Sequence, residues 1–218
     1  MTRIALIHAL AHSVEPINQE MASAWPEAVR MNLLDDSLSA DLARRASEGL
    51  TGLDAAMHQR FETLAAYAEG TGADGILFTC SAFGPCIEAA AACRPHMPVL
   101  KPNEAMVADA VGAGGRIGLI ASFAPTLASM PAEFPAGTDL VTQLADGAME
   151  ALNQGDGALH DALVLAAARQ LRSQGAGVIA LAQFSMARAR DAVEQALGMP
   201  VLTTPGSAVR ALRRRLGV

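Results

Sequence analysis

The sequence predicts an α/β protein built as two similar halves, each a parallel sheet flanked by helices. Three observations carry that prediction. First, the chain repeats itself: Gly72-Ala-Asp-Gly-Ile-Leu-Phe-Thr-Cys80-Ser-Ala-Phe returns as Gly175-Ala-Gly-Val-Ile-Ala-Leu-Ala-Gln183-Phe-Ser-Met, and Met-Pro-Val-Leu stands at both 97–100 and 199–202. The opening Arg3-Ile-Ala-Leu-Ile-His-Ala recurs as Arg116-Ile-Gly-Leu-Ile-Ala-Ser, so the three offsets are 113, 103 and 102 residues and the order is kept. Second, short β-rich runs alternate with longer Ala-rich helical patterns, the signature of layered α/β architecture. Third, the runs at 74–79 and 177–182 are continuously apolar, as parallel strands covered on both faces must be.

Taken in order, strands are expected near 3–9, 29–34, 74–79, 98–100, 116–121, 138–143, 177–182 and 200–203. Helices are expected between them near 14–24, 40–69, 85–93, 103–113, 124–132, 157–174, 185–197 and 205–216. Gly84-Pro85 suits a helix start, and Gly175 closes a long amphipathic run. Gly112-Ala-Gly-Gly115 precedes a strand instead of following one, so it reads as a turn and not as a phosphate loop. The basic run Arg213-Arg214-Arg215 falls where positive charge complements the end of the last helix. The boundary between halves is placed at 100/101, giving 1–100 and 101–218, with the last helix free to cross back to the first half.

Composition narrows the function. With 51% apolar residues and 17% charged, the chain reads as globular and not disordered. A net charge of −6 and a pI near 5.3 argue against nucleic acid as a partner. Apolar stretches are interrupted before they reach membrane-spanning length, and the apolar start Ile4–Leu10 reads as a strand, not a leader. Three cysteines at 80, 86 and 93 form neither a disulfide framework nor a paired zinc motif. A cytoplasmic protein with reduced thiols is expected. Neither a nucleotide, a flavin nor a metal is called for by any motif, and a homo-oligomer is left open.

In open α/β sheets ligands gather beyond the carboxyl ends of the strands. Cys80 falls there, just before a helix start whose free N–H groups would lower its pKa and hold an anion. A thiolate so placed can take a proton from carbon or return one. Ser81, Ser122, Thr126 and Ser185 stand at strand ends or helix starts, where hydroxyls bind carboxylates or cap helices. His8 and His12 follow the first strand, and His12, beside Ser13, is the candidate second proton carrier. Phe83, Phe123, Phe184 and Met186 near the same edge, with few charges among them, hint at an apolar substrate bearing a carboxylate. Cys86 and Cys93 read as helix residues without a chemical role.

These residues resemble the aspartate/glutamate/hydantoin racemase superfamily, which includes maleate isomerase and arylmalonate decarboxylase. The likeness spans nearly the whole chain: the duplicated halves, the strand ending in Thr79-Cys80-Ser81, Arg116-Ile-Gly-Leu-Ile-Ala-Ser, and Leu181-Ala-Gln183-Phe-Ser-Met-Ala187. It implies an active site between the halves, in which two cysteines flank the substrate carbon and neither pyridoxal phosphate nor metal is needed. It implies Cys80 as acid/base, with Ser81, the Ala82 backbone, Ser122, Thr126, Gln183, Phe184 and Ser185 as substrate-binding positions. Gln183 stands where the family's second cysteine usually stands, and an amide cannot ionise near neutral pH.

Three functions follow for a small carboxylate substrate. One is a cofactor-independent isomerase or racemase with Cys80 as one base. Another is a single-cysteine decarboxylase resembling arylmalonate decarboxylase, and the third is a non-catalytic carboxylate-binding protein.

Overall fold

The computed structural model describes residues 1–50 and 52–218. The chain divides into two units, Met1–Pro102 with Ala208–Val218, and Asn103–Ser207.

In the first unit the strands are β1 (Arg3–His8), β2 (Val29–Leu34), β3 (Gly75–Phe78) and β4 (Val99–Leu100), all parallel in the order β2-β1-β3-β4. Its helices are α1 (Val14–Ala24), α2 (Ser37–Ser47), α3 (Ala55–Gly70) and α4 (Gly84–Ala92). Side chains alternate across a strand, and here both sides are covered. Ala5, Ile7, Ile76 and Phe78 pack on Phe61 and Ala65 of α3 and on Ile87 of α4. The Phe61 ring lies 5.2 Å from that of Phe78 and 4.9 Å from that of Phe83. The edge strand β2 is only partly buried and alternates, whereas β3 is buried throughout.

In the second unit α5 (Glu104–Ala113) leads into β5 (Ile117–Ala121), α6 (Ala124–Ser129), β6 (Leu140–Leu144), α7 (Ala148–Asn153) and α8 (Gly157–Ser173). Then come β7 (Val178–Leu181), α9 (Arg190–Leu197), β8 (Val201–Thr203) and α10 (Thr204–Leu216). The sheet order is β6-β5-β7-β8, again all parallel, so the repeat seen in sequence is a repeat of topology. One face of this sheet, with Ile120, Ile179 and Leu181, packs on Val164, Ala168 and Leu171 of α8. The other, with Leu119, Ala121, Ala180 and Ala182, packs on Met106 and Ala110 of α5.

All eight expected strands form, and four helical expectations need correction. The helix expected over 124–132 is α-helical over Ala124–Ser129 and a 3₁₀ turn over Met130–Glu133. The helix expected over 40–69 is two helices. Gly49 and Gly52 take φ of +74° and +81°, the left-handed region that ends helices, and Asp54 then caps α3 by accepting from Met57 N–H at 2.8 Å. The start of the helix expected over 185–197 is a 3₁₀ turn, Phe184–Ala189, and only Arg190–Leu197 is α-helical. Short α7, entered through Gly147 at φ +76°, was not expected. The last helix ends in the first unit, where Arg213 donates to the Ala24 carbonyl at 2.7 Å and its guanidinium lies 5.8 Å from the Trp25 ring. That contact satisfies an orphan carbonyl at the end of α1.

Candidate functional site

In each unit the strand order reverses between the first and third strands, the switch point where open α/β sheets bind ligands. In the first unit the carboxyl ends of β1 and β3 deliver Ala9–Ser13 and Thr79–Phe83 to one edge. Cys80 is extended (φ −125°, ψ 119°) and precedes a 3₁₀ turn, Ser81–Phe83. The thiol is half-buried, and Cys80 lines, with Ile7, His8, Ala9, Leu38, Phe61 and Phe78, a dent with no room for a water molecule.

That seat decides its chemistry. Burial pushes the Cys80 thiol above its ordinary pKa, opposed by the Ala82 N–H, which donates to the sulfur. The expectation of a lowered pKa is thus overturned: the intervening 3₁₀ turn separates Cys80 from the start of α4, and desolvation of a thiolate in apolar surroundings outweighs one N–H. Cys80 is held as a thiol, a stored proton. Ser81 is partly exposed beside it, and Ala82 is exposed. His12 is exposed on the 3₁₀ turn Ala11–Ser13.

His8 is fully buried. Its ring contacts Asn32, Ser13 and Thr79 at 2.9–3.1 Å. Sequence reading missed Asn32 and Asn18 as parts of this cluster, because neither lies in a motif: the pairing of β1 with β2 brings Asn32 to His8, and Asn18 of α1 reaches the cluster through Asn32.

The second unit repeats the arrangement with different groups. Gln183 is extended (φ −133°, ψ 145°) and precedes the 3₁₀ turn Phe184–Ala189, as Cys80 precedes its own. Its Oε1 accepts from Ser122 N–H at 2.7 Å and from the Ser122 hydroxyl at 2.9 Å. A backbone N–H only donates, so the amide orientation is settled and the NH₂ is the end left over. Ser122 is buried and both its donors serve Gln183. Thr126 and Ser185 are partly exposed at the same edge.

Of the four apolar residues expected at the site, Phe83, Phe184 and Met186 are core side chains. Phe123 is 50% exposed, and Leu10, at the matching place after β1, is 47% exposed. Elsewhere in this unit His160 bonds Asp161 at 2.8 Å, and Arg188 bonds the same carboxylate, tying the Gln183-bearing turn to α8. Among the described residues no group of three His, Cys, Asp or Glu side chains is placed to hold a metal ion. Nor is any helix long and apolar enough to cross a membrane.

Comparison with known proteins now adds the family. The sequence profile of the Asp/Glu/Hydantoin racemase family matches residues 11–212. The chain belongs to this family. Proteins of known structure share its fold at low identity. Allantoin racemase from Klebsiella pneumoniae is 20% identical, with the match covering 100% of this chain and 88% of that one at a TM-score of 0.68. An aspartate racemase homologue from Pyrococcus horikoshii OT3 is 14% identical over 100% of both chains, TM-score 0.71. Unliganded arylmalonate decarboxylase is 15% identical, covering 100% of this chain and 94% of its own, TM-score 0.63. No curated protein gives a significant match.

Proposed function

We propose that this family member is a cofactor-independent enzyme that moves a proton at the carbon next to a carboxylate, with Cys80 as acid/base and Gln183 in place of the usual second cysteine. The observation that carries this reading is the pair of matching positions after β3 and β7. One bears a half-buried thiol and the other an amide whose carbonyl is pinned by Ser122. The first can hold or give a proton; the second can only donate hydrogen bonds. A small-molecule carboxylate is the substrate, and the candidate donors are the Ser81 hydroxyl of the first unit and, in the second, the Thr126 and Ser185 hydroxyls and the Gln183 NH₂. An enolate-like intermediate is stabilised by such preorganised donors, and His12 is the candidate second proton carrier on the first unit's edge.

Two observations favour a second reading, decarboxylation followed by protonation from a single face. Burial keeps Cys80 protonated, the state needed to quench a carbanion and the wrong one for abstracting a proton. The pinned amide at 183 leaves that position without a proton to exchange at carbon. Loss of carbon dioxide from a substituted malonate creates the carbanion without any base, and one thiol then suffices.

The experiment is NMR in deuterated water with amino acids, hydroxy acids and substituted malonates, using the native protein and Cys80→Ala. Deuterium entering an intact skeleton only when Cys80 is present supports the isomerase. Loss of one carboxyl with a single deuterium delivered to one face supports the decarboxylase. No exchange at all, with both proteins still binding the same carboxylates, overturns catalysis and leaves a binding protein.

A further inference from the structure

The His8 cluster is absent from the mechanism above, and the second unit shows that the fold does not require it. The sheet registers pair Ile7 with Phe78 and Ile120 with Leu181. The next residues, His8 and Thr79, therefore match Ala121 and Ala182, and the shared bonds Thr79 N–H to Ile7 O and Ala182 N–H to Ile120 O confirm the correspondence. Two buried alanines fill in one unit what a histidine and a threonine fill in the other. Burying a polar cluster is costly unless every member is satisfied, and at these matched positions the unit that carries the thiol has one where the other has alanines.

The protons of the cluster can be assigned. The Val14 carbonyl accepts from Asn18 Nδ2 at 2.7 Å, which fixes that amide. The same nitrogen donates to Asn32 Oδ1 at 2.8 Å, which fixes the second amide. Asn32 Oδ1 lies 3.0 Å from His8 Nε2, so Nε2 bears a proton and donates. Burial lowers the His8 pKa against the supporting bond to Asn32, keeping the ring neutral and Nδ1 bare. Nδ1 has Thr79 Oγ1 at 2.9 Å and Ser13 Oγ at 3.1 Å, and Ser13 has the Leu10 carbonyl to donate to at 2.8 Å. Thr79 Oγ1 also lies 2.8 Å from Ser13 Oγ and 3.4 Å from the Ile7 carbonyl. With Ser13 donating to Leu10, only a Thr79 proton given to Nδ1 satisfies the buried ring nitrogen, and Thr79 sits one residue before Cys80.

We infer that His8 is a positioning residue for Cys80: by accepting from the Thr79 hydroxyl and donating to Asn32, it ties the chain after β3 to the ends of β1 and β2 and holds the thiol in its apolar seat. Side chains alternate along an extended chain, so His8 and Thr79 lie on one sheet face while Cys80 packs on the other. The influence runs through the Thr79 backbone. The inference rests on Cys80 as the reacting group, yet its test needs no substrate.

Iodoacetamide alkylation of Cys80, followed by peptide mass spectrometry across neutral to alkaline pH, reads the seat directly. His8→Gln keeps the donor to Asn32 and removes the acceptor for Thr79, whereas His8→Asn places an oxygen where Nδ1 stood. Thr79→Val removes the hydroxyl at constant shape, and Thr79→Ser keeps it. His8→Gln and Thr79→Val are expected to raise the alkylation rate at neutral pH by about ten-fold and to move its profile to lower pH, since one pKa unit is about a factor of ten in thiolate. Thr79→Ser is expected to follow the native profile, and His8→Asn, which keeps the acceptor for Thr79 but gives up the donor to Asn32, to shift less than His8→Gln. An unmoved profile in all four folded variants, checked by thermal melting, assigns His8 a merely structural role and overturns the inference. A shift in His8→Asn or Thr79→Ser as large as in the other two overturns the route through Thr79. Normal alkylation with no deuterium exchange on any substrate would instead count against the proposed function alone.

Discussion

Gln183 Oε1 accepts two hydrogen bonds from a single residue, Ser122, at 2.7 Å from its backbone nitrogen and 2.9 Å from its hydroxyl. A side chain held this way has one polarity to offer, that of a donor. Gln183→Glu keeps both bonds to Ser122 but puts a carboxylate oxygen where the NH₂ was. Binding of the substrate carboxylate is expected to weaken roughly ten- to hundred-fold at neutral pH, since a hydrogen bond to a charged group contributes about 1.5–3 kcal/mol. Affinity should recover as the pH falls and the new carboxyl is protonated. Calorimetric titration with the carboxylate that exchanges in deuterated water measures this, and unchanged affinity would remove Gln183 from the binding site.

Gln183→Cys restores an ionisable group at the second copy of the position. In the decarboxylase reading the native protein delivers its proton to one face only, giving a product of one hand. The variant is expected to give both hands, or to exchange the α-proton with loss of configuration. Chiral chromatography of the product decides it, and a single hand from both proteins would show that position 183 does not reach the reacting carbon.

The repeat made most of this legible. Two copies of one strand-turn pattern point to two parallel sheets, and they put Cys80 and Gln183 at matching points before any coordinate is known. What sequence could not supply was the environment of each group. The low-pKa thiol was inferred from a nearby helix start, but the 3₁₀ turn Ser81–Phe83 and the packing of Phe61 and Phe78 reverse the sign. Likewise Phe184 and Met186 look identical to Phe123 in a one-dimensional reading, and only the packing of β7 and its following turn separates core from edge. The break of the helix expected over 40–69 was written in Gly49, Gly52 and Asp54, and the Ala-rich pattern on either side masked it.

The pH dependence of turnover follows from the raised Cys80 pKa and separates the two proposed reactions. A thiol that must donate its proton is active while protonated, so the rate should be flat through neutral pH and fall only as the pH rises through a value above the ordinary thiol range. A thiolate base shows the opposite, a rate that climbs with pH toward that same value. The profile of kcat/KM with the exchanging substrate distinguishes them.

Arg94 is almost fully buried and donates to both oxygens of Glu62 at 2.9 and 2.7 Å, linking α3 to the end of α4. The hydrogen bond from Arg94 lowers the Glu62 pKa. A carboxyl whose folded pKa is depressed contributes stability above its unfolded pKa and loses it as the pH falls through the folded one. Glu62→Gln should therefore lower Tm at neutral pH, with a loss on the order of 1 kcal/mol because Glu62 is partly exposed. The gap between variant and native protein should close as the pH drops below the ordinary glutamate value of about 4.5. Thermal melts at neutral and acid pH test this, and a constant gap would assign the effect to packing.

Gly118 in β5 occupies the place that Ala5 occupies in β1, yet the two are not interchangeable. A Cβ at Gly118 would lie 2.9 Å from Ile179 Cδ1, 3.0 Å from Leu171 Cδ1 and 3.1 Å from Ala176 Cβ, all within the core between the sheet and α8. Overpacking of this kind costs about 1–3 kcal/mol, so Gly118→Ala should lower Tm measurably. Ile179→Val removes the methyl that makes the shortest of these contacts. Combined with Gly118→Ala it should cost less than the sum of the single changes, because neighbours sharing one space are not additive. Strict additivity in denaturant unfolding would mean that the strain is relieved elsewhere, through Leu171 or a shift of α8, and that Ile179 does not set the limit.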